Sequence, residues 1–184
     1  MDFRFTMYDR QFVLIDTPGL GYSPNENMGV LGIIARRLSK NGSQEVGGVI
    51  FFHAITEGRF TGSTRHNIEI FKMICGERFF TRTVFLTTMW NNLDPQGHEK
   101  YNLLQRELER QQCQYLTANQ FIKFDGDTNS VKAVVEYFAR LDPTNPAQLL
   151  LAQEMEKLRL NSVRKTTAGR FIALQFNRAL CVIQ

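Results

Sequence analysis

The sequence predicts an α/β fold, a mainly parallel sheet with helices on both faces, followed by a helical C-terminal extension. Short apolar runs rich in β-branched and aromatic residues alternate along the chain with segments of helical periodicity. The strands that alternate with helices are each continuously apolar, which is typical of strands buried on both faces of a parallel sheet. With 184 residues and 43% hydrophobic content, the chain is large enough for one globular domain and an extension.

The first predicted element is a hairpin. Phe3–Tyr8 alternates between apolar and polar residues, and Phe12–Ile15 is an uninterrupted apolar run. Asp9 and Arg10 between them predict a turn of about two residues. We expect the strand Phe12–Ile15 to be buried.

Helices and strands then alternate as far as a boundary at Pro143. The spacing of Met28, Leu31 and Leu38 predicts a helix that ends at residues 41–42. Residues 1–142 are predicted to form one domain, and 143–184 the extension with an amphipathic helix over 149–158. The other predicted elements are strands over 46–52, 83–87 and 121–124, a helix over 63–75 capped by Ser63 or Thr64 and ended by Gly76, a helix over 99–113, and a helix over 131–141 capped by Asn129 or Ser130.

The composition disfavours several classes of protein. The net charge is +4, but the basic residues are scattered, so no nucleic-acid partner is expected. Cys75, Cys113 and Cys181 form no Cys-x-x-Cys pair, which argues against a zinc site or a disulfide framework. No signal peptide and no run of about 18 apolar residues is found, and a cytoplasmic location is expected.

The strand end at Asp16–Gly19 predicts a phosphate and magnesium site. A buried strand followed at once by a Pro-Gly turn would present the Asp16 carboxylate to a hydrated Mg²⁺. Pro18 would restrict the backbone so that the Gly19 N–H reaches a terminal phosphate. Asp16 could also simply cap the next turn, and Asp94–Gly97 shows the same spacing without a strand before it.

Two later strand ends carry residues suited to a nucleotide base. Thr88 and Asn91 follow the strand at 83–87, and Asn91 offers one carbonyl and one amide donor where an aspartate would offer two acceptors. Asn91-Asn92 could equally be an ordinary polar loop, and Asp94 is the alternative base-reading residue. The segment 124–130 then joins a strand to a helix start and would support the base.

Taken together, these motifs resemble the AIG1, Toc34 and septin-like branch of the P-loop GTPases, in the form of fungal G domain-containing proteins. The resemblance extends from Phe12 to Gly169. The matching segments are Asp16-Thr17-Pro18-Gly19, His53-Ala54-Ile55-Thr56 with Arg59, Gly62-Ser63, Asn67, Phe71-Lys72-Met73-Ile74-Cys75-Gly76, Thr87-Thr88-Met89-Trp90, Phe124-Asp125-Gly126 and Thr167-Ala168-Gly169.

The resemblance implies a G domain that binds GTP or GDP with Mg²⁺, which Asp16 would hold through water. The family's phosphate loop ends in Gly-Lys-Ser/Thr, and no Gly-Lys dipeptide occurs here. Leu20 stands where Ras-like proteins have a water-orienting glutamine. We therefore expect an N-terminally truncated domain that is impaired in binding and hydrolysis. The nucleotide-binding residues implied are Asp16, Thr17, Gly19, Thr88, Trp90, Asn91, Asp125 and Gly126.

Two further expectations concern partners. A G-domain homodimer or heterodimer is implied by the resemblance, and the alternative to nucleotide binding is a non-enzymatic interaction or dimerisation module. The terminal Cys181–Gln184 also satisfies the C-a-a-X prenylation pattern. Four residues match such a pattern easily by chance, and a membrane partner is expected only if Cys181 is lipidated.

Overall fold

The protein has an α/β fold in a computed structural model that describes residues 2–21, 23–40, 46–55, 62–93, 99, 102–103, 105–106, 109–110, 116–117, 120–142, 147–157 and 162–180. Those described between 99 and 110 are helical, in agreement with the helix predicted there. The elements are β1 (Asp2–Met7), β2 (Arg10–Ile15), α1 (Pro24–Lys40), β3 (Val49–Ala54), α2 (Gly62–Cys75), β4 (Thr83–Thr88), β5 (Phe121–Lys123), α3 (Thr128–Ala139), α4 (Leu150–Lys157) and α5 (Thr167–Leu180).

The predicted hairpin is confirmed, but its turn lies one residue earlier than expected. β1 and β2 pair antiparallel, and Met7 faces Arg10 as the last pair. Tyr8 and Asp9 form the turn, with φ values of 52° and 54°. Two consecutive positive φ angles match the twist of a tight hairpin turn, which is why the loop closes with these two residues.

The prediction that Phe12–Ile15 is a buried strand is wrong. Val13, Leu14 and Ile15 are 45%, 47% and 39% exposed. β1 and β2 form a two-stranded sheet of their own, separate from the other described strands. An apolar run predicts a strand suited to burial, but burial itself requires a neighbouring layer, and none of the described elements covers these residues.

The predicted parallel sheet is confirmed for β3, β4 and β5, which pair in that order and all run parallel. Phe85 in the central strand faces Phe51 on one side and Phe121 on the other. These aromatic residues pack against Phe71 of α2 and its neighbours. The alternate residues of the sheet, including Val84, pack against α3 on the opposite face. Helices therefore cover both faces of this sheet.

Side-chain caps explain where two of the helices begin. α1 begins with a reciprocal cap in which Ser23 Oγ accepts from the Glu26 N–H and Glu26 Oε2 accepts from the Ser23 N–H, both at 3.2 Å. α3 is capped by Asp127, so the predicted caps Asn129 and Ser130 are wrong. The Asp127 carboxylate accepts from the Ser130 N–H at 2.8 Å, which satisfies a donor of the first helical turn.

The C-terminal helices pack against the earlier ones in one apolar cluster. Leu31 of α1, Ile70 of α2, Leu151 of α4 and Ile172 of α5 are all completely buried there. The predicted boundary at Pro143 and the predicted helix end at residue 158 fall outside the described residues. The extension predicted for 143–184 thus contributes α4 and α5 to this shared core.

Among the described residues, the helices are too short or too polar for any of them to traverse a lipid bilayer. Cys181, the predicted prenylation site, lies outside that part of the chain.

Candidate functional site

The carboxyl ends of β4 and β5 form the edge at which the predicted base-binding residues meet. Thr87 pairs with Lys123, and the Phe124 N–H donates to the Thr87 carbonyl at 2.8 Å, so the two chains leave the sheet side by side. Beyond this point Asn91 Nδ2 donates to the Asp125 carbonyl at 3.3 Å. Two segments that are 34 positions apart are therefore brought into direct contact.

Trp90 is a buried residue at this edge of the sheet. Its side chain is 2% exposed. The indole N–H donates to Thr87 O at 3.1 Å and lies 3.2 Å from Thr87 Oγ1. Lys123 Nζ lies 4.6 Å from the centre of the Trp90 ring, a cation–π contact. Trp90 contacts both Thr87 and Lys123. These contacts fix the backbone position of the following Asn91, which remains exposed.

The sequence placed Met89 in a motif without indicating its backbone conformation, and it gave no role to Lys123. Met89 has a left-handed backbone with φ of 67°, which is uncommon for a residue with a side chain. This conformation turns the chain out of β4 into the short 3₁₀ helix Trp90–Asn92. No sequence signal for a positive φ exists at methionine. Likewise, the sequence does not indicate that the lysine at the end of this strand lies over an aromatic ring.

The neighbouring strand contributes a third contact to the edge. Thr88 Oγ1 donates to the His53 carbonyl of β3 at 3.4 Å. The His53 ring lies 6.2 Å from that of Phe85, so the histidine is partly packed into the sheet. Thr88 therefore joins β3 to β4 at the level where the predicted base-reading segment begins.

The loop Asp125–Asp127 leads into α3. Gly126 is exposed with φ of 77°, a conformation that favours glycine, and nothing lies within 4 Å of where a Cβ would stand. Lys123 Nζ lies 3.6 Å from the Asp125 carboxylate, which is also exposed. The hydrogen bond from the Ser130 N–H holds the pKa of Asp127 below its ordinary value. The loop thus offers an exposed carboxylate at Asp125 and a structural one at Asp127.

Asp16, Thr17 and Gly19 lie elsewhere, in the exposed loop after β2. This loop is tied to the helices beyond it: the Gly21 N–H donates to Asn27 Oδ1 at 2.7 Å, and Asn67 Nδ2 donates to the Leu20 carbonyl at 3.4 Å. These contacts attach the loop to α1 and α2, whereas the contacts of the Asn91 edge described above lie with β3 and with the segment after β5.

The described residues do not by themselves fit a bound Mg²⁺. Asp16 is a single exposed carboxylate, and no group of three or more His, Cys, Asp or Glu side chains comes together in the part of the chain that the structure describes. Mg²⁺ is typically held by one or two carboxylates together with substrate phosphates. Asp16 could thus contribute to such a site only with a phosphate held by other groups.

No model of a known protein family matches the chain, and no curated protein matches it. The resemblance to the AIG1-like GTPases therefore depends on the short motifs and on their placement at strand ends.

Proposed function

We propose that the chain is a G-domain-like protein of the AIG1 class that binds the base of a guanine nucleotide at the edge formed by Thr88–Asn91 and Asp125–Gly126. Binding of the phosphates and hydrolysis are impaired. The observation that supports this proposal most directly is the hydrogen bond from the Asn91 side chain to the Asp125 carbonyl, because it brings two exposed polar residues together at the carboxyl end of a parallel sheet.

The hydrogen-bonding groups at this edge suit guanine. Guanine presents two N–H donors on its Watson–Crick edge, and Asn91 has one acceptor and two donor positions. Asn91 Nδ2 donates one of its hydrogens to the Asp125 carbonyl, and Oδ1 is the side-chain atom of Asn91 that can accept from the base. The exposed Asp125 carboxylate supplies further acceptors.

The proposed site lacks the usual groups that bind the phosphates of a nucleotide. No Gly-Lys dipeptide is present in the 184 residues, so the usual lysine and backbone cradle for the β- and γ-phosphates are missing from this sequence. Leu20, at the expected position of the water-orienting residue, packs against the helical cluster and has no polar side-chain group. Base contacts are therefore expected to dominate the affinity.

The fluorescence of Trp90, the only tryptophan of the chain, provides the test. Guanosine is expected to change this fluorescence with a dissociation constant on the order of 1 mM, corresponding to about 4 kcal/mol. Adenosine should have little effect. Asn91→Ala should abolish the guanosine response, whereas Asn25→Ala, at an exposed asparagine of α1, should preserve it. Equal responses to both nucleosides, or a response that survives Asn91→Ala, would refute base recognition at this edge.

The second candidate function is a non-enzymatic interaction module. The specific observation in its favour is that apolar side chains of β2 and β3 are exposed, among them Leu14 at 47% and Phe52 at 58%. Contiguous exposed apolar surface is a feature of protein interaction sites.

A further inference from the structure

Two segments of the sequence share a pattern of two basic residues, one intervening residue and a hydroxyl residue. They are Arg36–Ser39 and Arg164–Thr167, and the chain has no other pair of adjacent basic residues. Carboxylates in the substrate groove of a protein kinase can bind basic side chains at this spacing through charge-assisted hydrogen bonds. Both hydroxyl groups are therefore candidates for phosphorylation, and their surroundings in the fold distinguish them.

Ser39 lies at the surface in the last turn of α1. It is exposed and stands one residue before the end of the helix at Lys40. Its hydroxyl donates to the Ala35 carbonyl at 2.9 Å, a bond within the same helix. Arg36, three residues earlier, is exposed as well, and residues three apart are neighbours on a helix surface. The hydroxyl and a basic residue that a kinase would bind are thus both accessible.

The last turn of α1 has features that favour local opening. A segment must become extended to enter a kinase groove, and helix ends open at a lower free energy than the rest of a fold. Arg37 forms an ion pair with Asp2 of β1 at the surface, an interaction that is weak in water. Among the described residues, Arg37 Nε is buried without a hydrogen-bond partner, so opening of this turn would hydrate it.

Thr167 is exposed too, but its surroundings oppose a kinase. Glu154 of α4 accepts from the Thr167 N–H at 2.9 Å and also from its hydroxyl. The preceding Thr166 is fully buried, and its hydroxyl donates to the Val163 carbonyl at 2.7 Å. Entry into a groove would break these bonds, and the Glu154 carboxylate would repel those of the kinase. The structure therefore favours Ser39.

We propose that Ser39 is a phosphorylation site for a protein kinase with an acidic substrate groove. In the reaction Ser39 Oγ attacks the terminal phosphorus of ATP, and its proton passes to a carboxylate of the kinase. The bond from that phosphorus to the bridging oxygen breaks, and ADP leaves. This inference depends neither on nucleotide binding by the chain nor on the second candidate function.

A phosphate on Ser39 should destabilise the last turn of α1. It places a charge of about −2 near the carboxyl-terminal end of the helix, where the helix dipole disfavours negative charge. It also removes the hydroxyl hydrogen that is bonded to the Ala35 carbonyl. A contact with Arg36, three residues earlier, would offset part of this effect.

Leu38 connects this turn to the core. Its side chain packs against both the aromatic cluster of the sheet and the apolar cluster of the C-terminal helices. Unwinding of the last turn of α1 would withdraw Leu38 from both clusters. Phosphorylation of Ser39 should therefore lower the stability of the whole domain.

The test is phosphorylation of the folded full chain by the catalytic subunit of cyclic-AMP-dependent protein kinase with MgATP, followed by mass spectrometry of each site. Synthetic peptides of residues 33–42 and 161–170 give the rates of the two sites without tertiary structure. The rate at Ser39 in the chain, divided by its rate in the peptide, should exceed the same ratio for Thr167 at least roughly tenfold, because a helix end opens more readily than a segment held by Glu154.

Matched arginine variants test recognition through the basic pair. Arg36→Ala should slow phosphorylation of Ser39 at least roughly tenfold, since it removes a charge-assisted contact with the kinase. Arg170→Ala, at an exposed arginine of α5, should leave the rate unchanged. Circular dichroism of each variant verifies that it is folded.

Thermal unfolding measures the effect of the phosphate. The phosphorylated chain should have a Tm about 2–4 °C below that of the unmodified chain. Treatment of Ser39→Ala with the same kinase should leave its Tm unchanged.

Three results would overturn the site: no phosphate on Ser39 in the folded chain, equal ratios for Ser39 and Thr167, or an equal loss with Arg170→Ala. Equal ratios would mean that both sites react only after global unfolding. An unchanged or raised Tm after complete phosphorylation of Ser39 would overturn the destabilisation of α1.

Discussion

Asn91 is the residue on which base selectivity depends in the proposed site. Its amide nitrogen donates to the Asp125 carbonyl, and its amide oxygen is the single side-chain acceptor that it can offer to guanine. The residue type could be singled out from the sequence because it follows a strand rich in β-branched residues. The contact of Asn91 with Asp125 could not be predicted from the sequence, because it depends on the pairing of β4 with β5 and on the left-handed backbone of Met89.

Asn91→Asp should tighten guanosine binding and lower the relative affinity for xanthosine. A second acceptor for guanine is expected to contribute about 1–3 kcal/mol, and loss of the bond to the Asp125 carbonyl should cost about 0.5–1.5 kcal/mol. The difference between these two terms is centred on a net gain of about 1 kcal/mol, which corresponds to roughly fivefold tighter binding. Titration of both nucleosides measures it, and an unchanged guanosine-to-xanthosine ratio would exclude Asn91 as the base-reading residue.

Asp127 is expected to stabilise α3 in a pH-dependent manner. Its pKa is lowered in the folded protein by the Ser130 N–H, so the carboxylate stabilises the fold above the ordinary pKa of aspartate, about 3.9. This contribution is lost as the pH falls through the lowered pKa. Asp127→Ala should reduce the urea midpoint at pH 7, whereas Asp127→Asn, a good helix cap, should largely preserve it and reduce the acid sensitivity.

Urea titrations at pH 7 and at pH 3 compare these variants. If Asp127→Asn and Asp127→Ala were equally destabilised at pH 7, the side chain would not act as a helix cap.

At the scale of elements, the close approach of α5 to the turn Val163–Lys165 constrains Gly169. A Cβ at Gly169 would collide with the Val163 carbonyl oxygen, a backbone atom that cannot easily move. The sequence showed Thr167-Ala168-Gly169 as a motif of the family resemblance, and the structure gives this glycine a packing reason. The contact was not predictable because it lies between two elements whose arrangement depends on the shared helical core.

Gly169→Ala should destabilise the protein by about 1–3 kcal/mol through overpacking. Gly29→Ala is the matched control, since Gly29 lies within α1 with nothing within 4 Å of its Cβ position. Alanine there should stabilise the helix by about 0.5–1 kcal/mol. Thermal unfolding compares the two, and equal effects of the two substitutions would contradict the contact at Gly169.

Strand existence was easier to predict than strand burial. Apolar, β-branched runs indicated β2, β3, β4 and β5 because this preference is local. Of the five strands that the structure describes, β4, which lies between two parallel neighbours, is the one buried along most of its length. The exposure of β2 could not be read from its sequence, because burial depends on elements that come from elsewhere.

For the molecule as a whole, the exposed apolar strands should cause concentration-dependent self-association of the isolated chain. Exposed apolar strands pair with those of other copies. Val13→Lys and Phe52→Lys each place a charge on an exposed strand and should reduce this association. Leu174→Lys, at an exposed residue of α5, should not. Sedimentation velocity over a concentration series provides the measurement. A monodisperse monomer at every concentration, with cooperative unfolding, would argue against association through these strands.

Calorimetry of the full chain tests whether it recognises the base of a guanine nucleotide without binding the phosphates. GTP with Mg²⁺ and guanosine without Mg²⁺ should bind with similar affinities, on the order of 1 mM, because the phosphates find no cradle. Removal of Mg²⁺ should leave GTP binding unchanged. Submicromolar GTP binding that requires Mg²⁺ would contradict this expectation.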